Sequence, residues 1–455
     1  MADRQQFSAH GLLAPAWAGS EAAAATSDRA VGQALLDVER ALVAAQVTLG
    51  LAPDEALDPA GFDIAGYDLP ALAAEAQGGG NPVIPLLKRL RARTAAGTRD
   101  YVHRGATSQD ILDTALMLVA ARALPAIRRD LDRGREALAR LAQRHRQDLM
   151  VARTLTQHSV PGTFGLKSAY WLEGLGQAAE RLAAAEPLPV QFGGASGTMA
   201  ATALYAGGRG VSAWDVQDTL AADLGLASPV APWHTQRAVV TGLGDALTAV
   251  TDALGKIAAD VLLMSRPEVG EVSEPAAPGK GGSSAMPQKQ NPVLAVLVRS
   301  AAIAAPGQCA TLHAAAAFAV DERPDGAWHA EWQSLTELLR LAGGAAALAA
   351  TLLEGLQVHT ERMGRNLSDA GPLIVSERIM AELGPRAGRD RVQAVISGSA
   401  SARPGELADS LKALLPEGEL DDVRLRQLLD PAAYLGEAGA IIDRILHRYG
   451  KDLHR

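Results

Sequence analysis

The chain has one cysteine, Cys309, in 455 residues. A single thiol excludes an intrachain disulfide framework and any metal site built from clustered cysteines. Aromatic residues are scarce at 4%, and much of the 48% apolar content is Ala and Leu, which favours helix over strand. Positive charge is not in excess. The 43 Lys and Arg against 51 Asp and Glu leave a net charge of -8, which gives no electrostatic footprint for nucleic acid. No uninterrupted apolar stretch approaches the roughly 20 residues that span a bilayer. Residues 1–15 lack a basic region followed by a secretory apolar core. These absences predict a soluble, helix-rich chain of a reducing compartment, the cytoplasm, with neither a nucleic-acid nor a membrane partner.

What is present is helical periodicity. Residues 1–105 read as short helices broken by Gly and Pro, with Ser27 or Asp28 able to cap a helix through Val31, Leu35, Val38 and Leu42. Nothing alternates with period two for long enough to build a sheet. The middle, residues 106–350, carries long stripes. Leu243, Leu247, Val250, Leu254, Ile257 and Val261 fall at bundle-seam spacing, and Trp328, Trp332, Leu335, Leu339 and Ala342 repeat it. Further helices are expected over residues 108–142, kinked or interrupted at Pro125, over 161–185, and over 292–318, interrupted at Pro306. Five long segments predict an all-α fold with a central five-helix bundle. Residues 351–455 read as a smaller helical domain. The stripes describe packing only.

Chemistry belongs in the polar blocks between the helices. In residues 101–110, Thr107 or Ser108 can cap the following helix, whose free N–H groups suit an anion. Arg104 adds a charge and His103 a group that exchanges protons near neutrality. An ordinary capped helix with a surface arginine fits this block equally well. Residues 153–161 supply Thr154, Thr156, Gln157 and His158, and a Gly-rich turn follows at 192–198. That turn fails the dinucleotide fingerprint, because Ala195 stands at the second Gly position and no strand precedes it. Arg237, at the end of residues 233–237, can grip a carboxylate in two-point fashion. The densest block is 279–292. It is not a phosphate-binding P-loop, since Gly281 follows Lys280 where Ser or Thr is needed. Ser283 with Lys289 would form an activated hydroxyl and its cationic partner in a Gly-rich segment stiffened by Pro287 and Pro292.

The run Gly282, Ser283, Ser284, Met286, Pro287, Lys289, Asn291, Pro292 resembles the signature of the fumarase/aspartase superfamily. Residues 103–110 resemble its first motif in the form seen in adenylosuccinate lyases, and residues 153–161 its second. The segments 232–237 and 326–332, with Arg323, are similar to those of bacterial 3-carboxy-cis,cis-muconate cycloisomerases. One position departs from the lyases: Leu155 stands where they carry an acid/base histidine.

The resemblance implies three helical domains (1–105, 106–350, 351–455), four chains associating through their bundles, and active sites shared between chains. It implies lactonisation of a tricarboxylate substrate in protocatechuate breakdown, with no cofactor and no metal. Ser283, Lys289, His158 and His103 would be the catalytic groups. Arg104, Thr107, Ser108, Gln157, Arg237, Ser284, Met286, Asn291 and Arg323 would bind substrate. The competing readings are a lyase that releases fumarate from adenylosuccinate or argininosuccinate, and a helical scaffold without catalysis.

Overall fold

The computed structural model describes residues 11–275, 281–282, 286, 289–399 and 404–450. It is 67% helix and 5% strand, so the all-α class stands. Helix α1 (Asp28–Thr48) starts where expected: the Ser27 hydroxyl accepts the Ala30 N–H. Five long helices follow: α2 (Ser108–Arg144), α3 (Phe164–Ala184), α4 (Ala238–Met264), α5 (Val293–Ala317) and α6 (Gly326–Glu354).

The contacts divide the chain into two units. One holds the residues up to Leu131, Gln177–Gly255 and Val296–Ala349; the other holds Asp132–Gly176, Lys256–Ala295 and the residues from Ala350 onward. Each long helix therefore contributes to both units, and the division differs from three consecutive segments. In the first unit every predicted seam residue of α4 from Leu243 to Leu254 is buried. Gly244 lies so close to α5 and α6 that an added Cβ would sit 2.6 Å from a Leu312 methyl. Small residues at such points let the helices approach. In the second unit, Met150 and Val151 are buried, and Val151 joins a core with Leu367, Ile374, Ile379, Leu383, Leu407 and Leu425.

Four expectations need correction. Pro125 and Pro306 do not interrupt their helices, which run unbroken through both positions. Each proline removes one backbone donor, and buried neighbours such as Leu124 and Ile127 carry α2 on through that loss. The chain also contains a hairpin. Strands β1 (Leu149–Thr154) and β2 (Gln157–Thr163) pair antiparallel, so the helix expected from residue 161 starts at Phe164. Leu155 and Thr156 close it with φ of 48° and 73°, the backbone of a type I′ turn without the usual Gly or Asn. Separately from these corrections, α5 and α6 are long and apolar enough to cross a membrane by length and composition alone, a test that the core helices of a folded protein also pass. Leu335, Leu338, Leu339 and Ala342 of α6 are buried in the helical core, which accounts for that helix's apolarity.

Candidate active site

In the first unit, three of the polar blocks converge on Asp110. Its carboxylate accepts the backbone N–H groups of Thr107, Gly193 and Gly194, each at 2.9 Å, and lies 2.7 Å from His234 Nε2. The first block, the Gly-rich turn and the 233–237 block are thus tied by one buried anion. Gln109 Nε2 donates to the His234 carbonyl, and Gln191 Oε1 accepts the Trp233 N–H at 2.7 Å. Arg323 donates to the Ala195 carbonyl at 2.7 Å, which brings its segment onto the same turn.

Arg237 is 3% exposed, and its guanidinium is shared between two carboxylates of its own chain. It reaches Asp113 at 2.7 Å and 3.1 Å, and Glu331 at distances from 2.5 Å to 3.1 Å. Trp328 Nε1 also donates to Asp113. Burial opposes the charge on Arg237, but Asp113 and Glu331 outweigh it and hold the guanidinium charged, well above its ordinary range. Burial pushes the Glu331 carboxyl up, against the pull of Arg237. The two-point grip expected of Arg237 exists, and it is spent on the protein's own groups.

His103 and Arg104 are partly exposed. The His103 ring is held through Nδ1 by the buried Glu39 at 2.7 Å, and Glu39 also accepts the His103 N–H. Arg104 stacks over the Tyr205 ring at 4.0 Å and donates to the Leu51 carbonyl. Thr107 and Ser108 are partly exposed at the start of α2. A cleft of about 310 Å³ adjoins the Gly-rich turn, with Thr198, Met199, Trp214 and Pro232 in its wall. Among the described residues no cation lines it, so as described it does not suit a tricarboxylate.

The second unit holds the other candidates. Arg153 makes a bidentate pair with the buried Glu271, at 2.9 Å and 2.8 Å, and Asn366 donates to the same carboxylate. His158 and Gln157 are exposed on β2, and Leu155 is 96% exposed at the hairpin tip. The Asn291 N–H donates to the Gly281 carbonyl at 2.8 Å, closing the loop between them. Lys289 and Met286 within it are exposed. Glu274 accepts the N–H groups of Leu294 and Ala295 at the start of α5, so that helix end already has an anion. Ser283, Ser284 and Lys280 lie outside the described residues.

Several partners escaped sequence reasoning: Glu39, Asp113, Glu271, Glu331 and Lys167. Lys167 lies on α3 just after the second motif. Burial pulls its ammonium below the usual range, with Asp260 pulling the other way from 3.9 Å. An acidic residue at a buried helical position would have hinted at Glu39, Asp113 and Glu331; Glu271 lies outside the helices, just before a short strand, and carried no such signal.

Residues 81–307 match a family model described as Lyase. The chain is 48% identical to a nitrosuccinate lyase of Streptomyces davaonensis, over 95% of this chain and 94% of that one. It is 41% identical to a 3-carboxy-cis,cis-muconate cycloisomerase of Pseudomonas aeruginosa, over 99% and 98%. Among solved structures, the 3-carboxy-cis,cis-muconate lactonizing enzyme from Pseudomonas putida matches with a TM-score of 0.87 and 36% identity, over 98% of this chain and 100% of that one.

Proposed function

The chain belongs to the lyase family of the fumarase/aspartase superfamily, and on that premise we propose that it lactonises 3-carboxy-cis,cis-muconate to 4-carboxymuconolactone. A carboxylate oxygen of the substrate bonds to a carbon of the facing double bond. The displaced electron pair moves to the neighbouring carbon as a carbanion conjugated with a carboxylate, and a proton is then added there. Ser283 delivers that proton. Lys289 and Asn291 stabilise the charge that builds on the carboxylate oxygens. Thr107, Ser108, Arg104 and Arg323 hold the remaining carboxylates. Arg237, fully engaged by Asp113 and Glu331, holds the 233–237 block in place. His103, held by Glu39, and the exposed His158 serve proton exchange with solvent, while Gln157, Ser284 and Met286 line the substrate.

The observation that carries this reading is Leu155. A lyase that expels an amine must protonate it as it leaves, which calls for an acid at that position. A carboxylate that attacks as an anion needs no such acid. The absence of an ionisable group at the hairpin tip fits a reaction whose attacking or departing group is a stable oxyanion. Nitrite is also such a group. The 48% identity to a nitrosuccinate lyase therefore favours a second reading, in which nitrosuccinate loses a carbon-bound proton and nitrite to leave a carbon–carbon double bond. We further propose that four copies associate. Val296 and Ile303 of α5, and Phe318 just beyond it, expose apolar surface that self-association would cover.

One experiment separates these readings. Pure protein is given 3-carboxy-cis,cis-muconate, nitrosuccinate and adenylosuccinate in parallel, with diene absorbance, nitrite and fumarate followed. Saturable loss of the diene supports lactonisation. Nitrite release without diene loss transfers the assignment to the second reading, and fumarate from adenylosuccinate alone overturns both.

A further inference from the structure

Cys309, the single thiol of the sequence, is not isolated in space. Cys309 and His313 are four residues apart on α5, so both side chains lie on one face of that helix. Asp245 reaches the same spot from α4. Its Oδ1 is 2.9 Å from His313 Nε2 and 3.4 Å from Cys309 Sγ. The three donor atoms all lie within 4.8 Å of one another. We propose that Asp245, Cys309 and His313 form a binding site for a divalent transition-metal ion of the zinc class, one that pins α4 to α5.

Geometry supports the ion class. Zinc takes sulfur at about 2.3 Å and nitrogen or oxygen at about 2.0–2.2 Å in a tetrahedron, which separates neighbouring ligand atoms by roughly 3.3–3.6 Å. The two Asp245 spacings, 2.9 Å to nitrogen and 3.4 Å to sulfur, are within a few tenths of an ångström of these values, and the Cys309–His313 pair, inside 4.8 Å, closes onto an ion by about an ångström or less. A mixed sulfur, nitrogen and oxygen set selects zinc-like ions over calcium or magnesium, which prefer all-oxygen shells. Cys309 is 7% exposed, whereas the Asp245 and His313 side chains are 60% and 53% exposed. An ion bound there has its inner side closed by sulfur and an outer position open to water. Asp252, one helical repeat beyond Asp245, adds negative charge near the thiol.

The thiol must lose its proton to bind. Burial pushes it up, and the nearby carboxylates act in the same direction. Binding therefore exchanges a proton for the ion: the S–H bond breaks, a sulfur–metal bond forms and one proton enters solvent. His313 must present Nε2 as a lone pair, its ring proton shifting to Nδ1, so the Asp245–His313 hydrogen bond gives way to two bonds to the ion. The single cysteine excludes a cysteine cluster but not a site of three different ligands, and the i, i+4 pairing of Cys309 with His313 was its signal in the sequence.

Because Cys309 is the only thiol, cobalt(II) reports on this site alone. Metal-stripped full-length protein is titrated with cobalt chloride. The expected result is a saturable thiolate-to-cobalt charge-transfer band in the near ultraviolet, displaced by zinc and absent in Cys309→Ser. His313→Ala should weaken binding by about tenfold or more, at least what the loss of an outer-shell partner costs. In a second measurement, zinc should slow reaction of the wild-type thiol with an aromatic disulfide by a similar factor. No band from folded wild-type protein, or a thiol reaction rate that zinc leaves unchanged, overturns the proposal. The wild-type labelling measurement decides the matter even if a variant fails to fold.

Discussion

Asp110 and His234, 124 positions apart, meet with Oδ1 2.7 Å from Nε2, and neither side chain is open to solvent. Three backbone N–H groups also donate to Asp110. The contact makes Nε2 the protonated nitrogen of the imidazole, and Nδ1 has no partner among the described residues. Asp110→Asn would turn an amide NH2 toward donors that need an acceptor. The expected loss is about 2–4 kcal/mol, read from urea unfolding. An unchanged midpoint would mean that the Gly-rich turn is held by something other than this carboxylate.

Arg237, Asp113 and Glu331 set one positive charge against two carboxyl groups in a buried site. Arg237→Met leaves both carboxyl groups without their cation and should cost about 3–5 kcal/mol. The pH dependence follows from Glu331, whose carboxyl burial pushes above its usual value of 4.5. The folded chain then holds that proton more tightly than the unfolded chain does. Its stabilising effect is complete below the usual value and is lost as pH rises through the raised one. Wild type should therefore lose stability relative to Glu331→Gln across that window. Parallel unfolding midpoints for the two proteins, measured at successive pH values, would count against this account.

The α4 seam was legible because six apolar residues at bundle spacing have one way to be buried together, and all six are buried. The hairpin was not. Pro161 and Gly162 weaken the strand pattern of β2, and the turn is made by Leu155 and Thr156, which carry no turn signature. The motifs led to Asp110, Arg153 and Arg237, but not to what they hold. Asp113 and Glu331 read as ordinary helix charges, because sequence does not say which acidic residue turns inward toward a cation roughly a hundred positions away. Pro125 and Pro306 misled for a related reason: a proline penalty is local, whereas packing along a long helix is collective.

Leu155 is an apolar residue held in the left-handed region and almost fully exposed. That conformation costs an L-residue roughly 1–2 kcal/mol. Leu155→Gly removes the strain, offset in part by the extra freedom of glycine in the unfolded chain. The expected gain is up to about 1 kcal/mol. A strained, exposed apolar tip within the second motif is explained if it touches substrate or a neighbouring copy during turnover. The same variant should then lose kcat/KM while its melting temperature holds or rises. A variant with unchanged kcat/KM would show the tip to be a bystander.

The loop between Gly281 and Asn291 is tied at its base by the Asn291 N–H to Gly281 carbonyl bond, and Glu274 caps the helix that follows. These anchors are backbone groups and a residue outside the loop, so substitutions within it leave them in place. Ser283→Ala removes the proposed proton donor, and Lys289→Met removes the proposed cation beside the developing charge. Lys289 is exposed in the isolated chain, so its loss should leave the helical circular dichroism and the melting curve unchanged. Loss of one donor to a developing oxyanion costs about 10²–10³ in kcat, and each variant should show a fall of that order or more. Lys289→Arg separates charge from shape. If the ammonium acts as a compact point charge, the broader guanidinium restores binding of the tricarboxylate, seen in KM, without restoring kcat. Near-normal turnover in Ser283→Ala would remove the serine from the reaction and pass proton delivery to His158, whose own alanine variant would then lose activity.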